Sequence, residues 1–397
     1  MRRAGGLWLI GLAAALTVTG CGPAPRGTAK PGEIDVRTLD VGGYPTAPID
    51  IHIDDATSAI DLRGLAALKL SDYVLTAYEI DPRLATGGDP QTITGTDKLP
   101  GFESNPDATD QSGLMFGFST SGTATLPGDA PDSTRLTITV LQFGSADQAS
   151  QAVGQFYTSD VTDQVTQGQL PQTVTSAKYR GAQGYWLDNT HTIRTYLAQD
   201  AYVILIEAES PTIDRAGLTT MTEKGFDLQV PRLAQHPAIT DPHALASLPW
   251  DPDHMLSRTL NPHGDHLAAQ VSGLRGTLNS AAHPAIAEQA FTGMGADEFA
   301  RIEHTLVVRT ADAAAAHKAV SERVLPGPAG APADPPPLVP NSACVDNSNS
   351  DPAAPTRFTC LVAYRRYLAY VGSDELPDAH QRAAAQYALF ANSQWEQ

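Results

Sequence analysis

Arg135–Tyr157, RLTITVLQFGSADQASQAVGQFY, and Arg301–Val324, RIEHTLVVRTADAAAAHKAVSERV, read as two copies of one unit. Each runs a strand rich in β-branched residues into a polar break and then an Ala-rich helix. At each break stands a hydroxyl residue suited to the N-cap, Ser145 in one copy and Thr310 in the other. An acid follows two positions on, Asp147 and Asp312. A capping hydroxyl satisfies an orphan N–H and an acid in the first turn complements the helix dipole, so both stretches predict a helix start. Ser145 and Gln148 have the spacing of a capping box. The correspondence continues downstream, where Tyr202, in a hairpin predicted over 192–208, has its counterpart about 165 residues later in Tyr367, within 357–371. Two similar domains in tandem follow.

In the first copy Leu136, Ile138 and Val140 alternate with Thr137 and Thr139, the pattern of a sheet packed on one face. Ala149, Val153, Phe156 and Tyr157 give its helix an apolar stripe. In the second copy His304 falls on a strand face with Ile302, Leu306 and Val308, which marks it as a partly buried histidine rather than a base. Ala316, Val320 and Val324 form the helix stripe there. The predicted class is α+β: two tandem, similar domains, each an antiparallel sheet with helices on one face, ferredoxin-like in spirit. The predicted divisions are a signal peptide over 1–20, a disordered tether over 21–38, a first α+β domain over 39–236, a Pro-rich linker over 237–254 and a second α+β domain over 255–397.

The chain has 397 residues and a net charge of −18; loss of Arg2 and Arg3 with the signal peptide makes it −20. That balance argues against a nucleic-acid groove and against adhesion to anionic lipid through basic patches. Arg2 and Arg3, the apolar run 7–18 and Val18-Thr19-Gly20-Cys21 together look like a bacterial lipobox. The resemblance implies a diacylglyceryl group on Cys21, cleavage before it, and a protein lipid-anchored on the extracytoplasmic face of the cell membrane. The apolar run is too short to span a bilayer. Two acyl chains hold where one would be reversible.

The remaining candidates for chemistry are few. Asp50, His52 and Asp54 share one face of an alternating stretch and suit a divalent ion, but a solvated strand face explains the same pattern. Gly117–Gly122 superficially matches a nucleophile elbow around Ser119, and fails because Ser121 replaces the second glycine. Tyr185 and Trp186 offer a pocket floor or, more ordinarily, core cover. Asp251, Asp253, His254, His263, Asp265 and His266 form the one His-rich stretch; Pro262 and Gly264 favour a polar turn over a zinc site. Asp346–Asp351 starts like a calcium loop but lacks its glycine and its glutamate. Cys344 and Cys360 are expected in an oxidising compartment, and a disulfide closing about 15 residues stabilises by roughly 3 kcal/mol, pinning the Pro-rich insert 326–340 to a strand.

LDVGGYPTAP from Leu39, SDYVLTAYEIDP from Ser71, CLVAYRRYLAYVGS from Cys360 and DAHQRAAAQYAL from Asp378 together resemble a family of two-domain actinobacterial cell-envelope lipoproteins classed as a domain of unknown function. The sequence departs from the family pattern at Gly43 and Ile49. The resemblance implies surface anchoring and the two-domain layout, and brings no catalytic residues, metal or cofactor. The expected function is a non-catalytic binding module for an envelope ligand or protein partner, with the membrane reached through Cys21 and no nucleic acid. The alternatives are a structural or assembly lipoprotein of the envelope and, third, a metal-dependent envelope hydrolase.

Overall fold

The β-branched stretches form long strands because their side chains pack on both sides of a pleated sheet, and the polar breaks cap the helices that cover those strands. The structure is a computed structural model describing residues 34–50, 59–95, 113–124, 134–264 and 270–393. Signal peptide, lipobox and Cys21 lie outside the described residues, as do His52, Asp54, Asp265 and His266.

The first sheet follows α1 (Ala59–Leu70) and α2 (Ala77–Ile80). Its strands are β1 (Thr86–Gly87), β2 (Gln91–Ile93), β3 (Leu114–Ala124) and β4 (Thr134–Phe143). Helix α3 (Ala146–Thr166) precedes β5 (Gln172–Val174), β6 (Gln183–Leu187), β7 (Thr192–Gln199) and β8 (Tyr202–Glu209), and α4 (Arg215–Leu233) closes the set. The order is β1-β3-β4-β8-β7-β6-β5, with β2 beside β1 on β3. The second sheet comprises β9 (Gln270–Ser272), α5 (Leu274–Asn279), α6 (Pro284–Gly293), β10 (Glu298–Ile302), β11 (Thr305–Arg309), α7 (Ala313–Glu322), β12 (Ala331–Ala333), β13 (Ser342–Asp346), β14 (Phe358–Tyr364), β15 (Tyr367–Ser373) and α8 (Leu376–Asn392). Its order is β12-β13-β14-β15-β11-β10-β9.

The duplication is topological. Reading β3-β4-β8-β7-β6-β5 against β10-β11-β15-β14-β13-β12 gives one connectivity: two strands, a helix, four strands, a helix. Tyr202 and Tyr367 each begin the last strand of their sheet, opposite Gln142 of β4 and Arg309 of β11. The antiparallel α+β class holds, with this unit in place of a split βαβ order. Helices cover both faces of each sheet rather than one. In the first sheet Leu136, Ile138, Val140 and Ile206 face α1 and α4, whereas Leu141, Phe143, Val203 and Leu205 face α3 through Ala149, Val153 and Phe156. Burial of Phe156 alone contributes about 2–3 kcal/mol. In the second, Phe299, Leu306, Val308, Leu361 and Leu368 pack under α5, α6 and α7, while α8 covers β14 and β15 on the reverse.

Two local expectations change. RIEHTLVVR is a hairpin: Glu303 and His304 form the turn between β10 and β11, Glu303 at φ 47°, so His304 is exposed rather than on a strand face. The cap of α7 is Asp312, accepting from the Ala315 amide at 2.8 Å, because the Thr310 hydroxyl is buried and committed to the carbonyls of Asp312 and Arg366. Ser145 does cap α3. Its expected capping box is half-formed: the Ser145 oxygen accepts from the Gln148 amide, and the hydroxyl itself lies 3.3 Å from Gln148 Oε1.

The two sheets share a polar seam. Asn279 at the end of α5 donates to the carbonyls of Ser71 and Val74 at 2.9 and 3.0 Å, and the Gly87 amide donates to the Ala282 carbonyl at 2.9 Å. Glu79 pairs with both Arg232 and Arg275. The LDVGGYPTAP stretch, expected with the first domain, clasps the last helix of the second: Tyr44 donates to Asp378 at 2.6 Å and Gln381 reaches Asp40 at 3.2 Å. Among the described residues no helix is long and apolar enough to cross a membrane.

Candidate functional site

Strand alternation aims Phe299, Arg301, Leu306, Thr359, Tyr370 and Gly372 at the face of the second sheet that carries α5–α7. Towards one end of that face the helices leave a gap, and a cavity of about 140 Å³ forms there. Its floor is Leu306 and Tyr370. Phe291 of α6, His283 ahead of it, Leu325 and Pro326 after α7, and the loop 347–356 make the walls.

The loop is held at its neck. The Asn347 amide donates to the Arg357 carbonyl at 2.8 Å, and its buried side chain reaches Thr359 Oγ1 at 3.0 Å. Cys344 and Cys360 face each other across β13 and β14 and are joined as a disulfide. The staple therefore closes the hairpin whose loop walls the cavity; its link is to β14 rather than to the Pro-rich insert. Gly372 admits the loop, since a Cβ there would stand 2.4 Å from Thr356 Oγ1.

The polar groups of the cavity fall into two sets. Asp351 is its lining carboxylate and is already engaged, with His283 Nε2 at 3.0 Å and the Ala353 amide at 3.0 Å. Arg301 is different. It is partly buried and lines the cavity, and burial alone holds its guanidinium below the usual arginine range. Among the described residues no carboxylate lies within ion-pair distance of it. Two other arginines of this acidic chain are met by acids: Arg309 by Asp253, Asp297 and Glu298, and Arg194 by Asp160 and Glu207. Burial pushes the Tyr370 phenol up, and its hydroxyl donates to the Val324 carbonyl at 3.0 Å, away from any role as a base.

The candidates read from sequence are mostly dispersed, although His254 Nδ1 comes within 3.6 Å of Asp50 Oδ1. Tyr185 and Trp186 lie buried in β6, where Tyr185 faces Asp160 in a closed network with Arg194 and Tyr196. Ser119 sits mid-strand in β3, bonded to Thr139 at 2.8 Å, without the sharp turn an elbow needs. Asp251 caps the backbone at Leu256 and Ser257, Asp253 pairs with Arg309, and His263 meets Glu303 at 2.6 Å. Among the described residues the cluster Cys344, Cys360 and His380 has ligand-like spacing, but the disulfide consumes both thiolates. Arg301 and His283 belong to no candidate site in the sequence, and Asp351 enters there only as the end of the rejected calcium loop. A signal for Arg301 existed, an arginine two places from Phe299 on an apolar strand face; His283 and Asp351 lie 68 residues apart and meet only through the fold.

Residues 53–250 match the family described as domain of unknown function (DUF7373) N-terminal, and residues 255–393 match its C-terminal counterpart. No curated protein matches the chain. Among solved structures the crystal structure of the extracellular domain of PknH from Mycobacterium tuberculosis is similar at 17% identity and a TM-score of 0.26, over 43% of this chain and 95% of that one.

Proposed function

We propose that this chain, which belongs to the DUF7373 family through both halves, is a non-catalytic binding module of the cell envelope, anchored by lipid on Cys21 and taking its ligand in the cavity of the second sheet. One observation carries the reading: a concave site with apolar walls and few convergent polar groups, among them Arg301, a cation with no carboxylate within ion-pair distance among the described residues. The lining supports binding over turnover. Asp351 and His283 are spent on each other, and the Tyr370 hydroxyl on a carbonyl.

Native mass spectrometry with lipid extraction, on protein purified from its own host's envelope, tests both parts. The expected result is a mature chain beginning at a diacylglyceryl-modified Cys21 and carrying a stoichiometric small molecule. An unmodified precursor would remove the anchor, and a clean apo mass would remove the ligand.

A further inference from the structure

Resting on the reading of that cavity as a ligand site, we infer that its occupant is a small organic anion: a carboxylate or phosphate head set against Arg301, with an apolar body lying on Phe291, Leu306 and Tyr370.

The argument begins with cost. A cation partly withdrawn from water, as half-buried Arg301 is, is disfavoured to the extent that no opposite charge or acceptors replace the hydration it loses. Arg301 has neither among the described residues, although the sequence carries 44 acids against 26 Lys and Arg. A position that only supported the fold would be cheaper as an apolar residue, since its strand neighbours Phe299 and Leu306 are core. The cavity's carboxylate does not supply the missing charge, because Asp351 is turned to His283 and the Ala353 amide. What remains is a planar donor fork facing space, the geometry that suits a carboxylate or a phosphate.

Size and wall chemistry set the rest of the ligand. A volume of about 140 Å³ is that of a single aromatic ring or a short aliphatic chain. Phe291, Leu306, Leu325 and Pro326 offer that body apolar contact, and His304 adds an imidazole to the lining. A bare inorganic ion would leave the apolar walls wet, and a neutral body would leave Arg301 without a partner.

The test is isothermal titration calorimetry on the full, detergent-solubilised protein with three probes of one shape: benzoate, phenyl phosphate and neutral benzamide. The expected result is one-to-one binding of benzoate or phenyl phosphate, at least tenfold tighter than benzamide, with whichever anion is preferred naming the head group. Arg301→Gln should weaken the anion at least tenfold, leave benzamide unchanged, and raise the melting temperature of the ligand-free protein by removing an unpaired charge. Should that variant fail to fold, benzoate against benzamide on the native chain still reads the charge preference. Equal binding of all three probes, or anion binding that Arg301→Gln leaves unchanged, would overturn the anion inference and leave the ligand-cavity reading standing. Binding of none of them would remove the cavity as a ligand site and the inference with it.

Discussion

Asp72 caps a helix through Gly276, 204 residues further along the chain: its Oδ1 accepts from the Gly276 amide at 2.8 Å while Oδ2 accepts from the Gly273 amide at 2.9 Å. Gly273 is the N-cap of α5 and has no side chain to serve the free N–H groups of the first turn, so the other half of the protein supplies the acceptor. Helix α5 runs on into the 281–283 wall of the cavity, so the cap positions the site as well as the seam. Asp72→Ala should cost about 1–2 kcal/mol in urea unfolding. Asp72→Asn, which keeps an acceptor oxygen, should recover part of it. An Asp72→Ala midpoint equal to that of the native chain would show that α5 needs no such cap.

The disulfide is the second test of how the cavity wall is held. Loss of a link across 16 residues should lower stability by about 3 kcal/mol in the Cys344→Ala, Cys360→Ala double variant. Hydrogen exchange should quicken first over 347–357, the loop that the staple closes. Alkylation of unreduced, denatured protein should label neither cysteine; labelling of both would disprove the bond.

How far these features were readable from sequence follows from the range of the forces that make them. Strand β4, helix α3 and the equivalence of Tyr202 and Tyr367 were legible because β-branched alternation, a Ser145 cap and an Ala stripe are local signals. The alternation of Ile302, His304, Leu306 and Val308 misled, because the turn at Glu303 adopts a left-handed backbone with no glycine to announce it. Thr310 misled as a cap because its hydroxyl is claimed by Arg366, 56 residues away. The second covered face of each sheet was hidden in plain view: Leu141 and Phe143 shift the apolar phase of β4 by one residue, a change that matters only once α3 has folded back over it. Arg301 is legible as an arginine on an apolar strand face, but that no carboxylate approaches it among the described residues is a property of the fold that no window of sequence records.

Glu298 predicts a pH dependence. It shares Arg309 with Asp253 and Asp297, and burial outweighs that divided attraction, so its carboxyl is pushed up to about 7. Between the ordinary value of 4.5 and about 7 the folded protein holds a proton that the unfolded chain has released. The contribution of this group therefore falls as pH rises through that window, by at most about 3 kcal/mol. Glu298→Gln should be more stable relative to the native chain at pH about 7.5 than at about 4.5, as read by urea midpoints. Parallel pH profiles for the two proteins would show that Glu298 titrates as it does in water.

Gly87 tests the seam from the other side. Its amide bonds the Ala282 carbonyl, and a Cβ built on it would stand 2.1 Å from the Ala281 carbonyl oxygen, a backbone atom with no rotamer by which to retreat. Gly87→Ala must therefore move β1 away from the 281–283 segment, at a cost of about 1–3 kcal/mol. Because that segment also walls the cavity, the variant should weaken ligand binding without touching a lining side chain. Gly43→Ala supplies the baseline, since nothing lies within 4 Å of the methyl group it adds. If the two variants melt together and bind alike, the two sheets do not meet at Gly87 as closely as the structure places them.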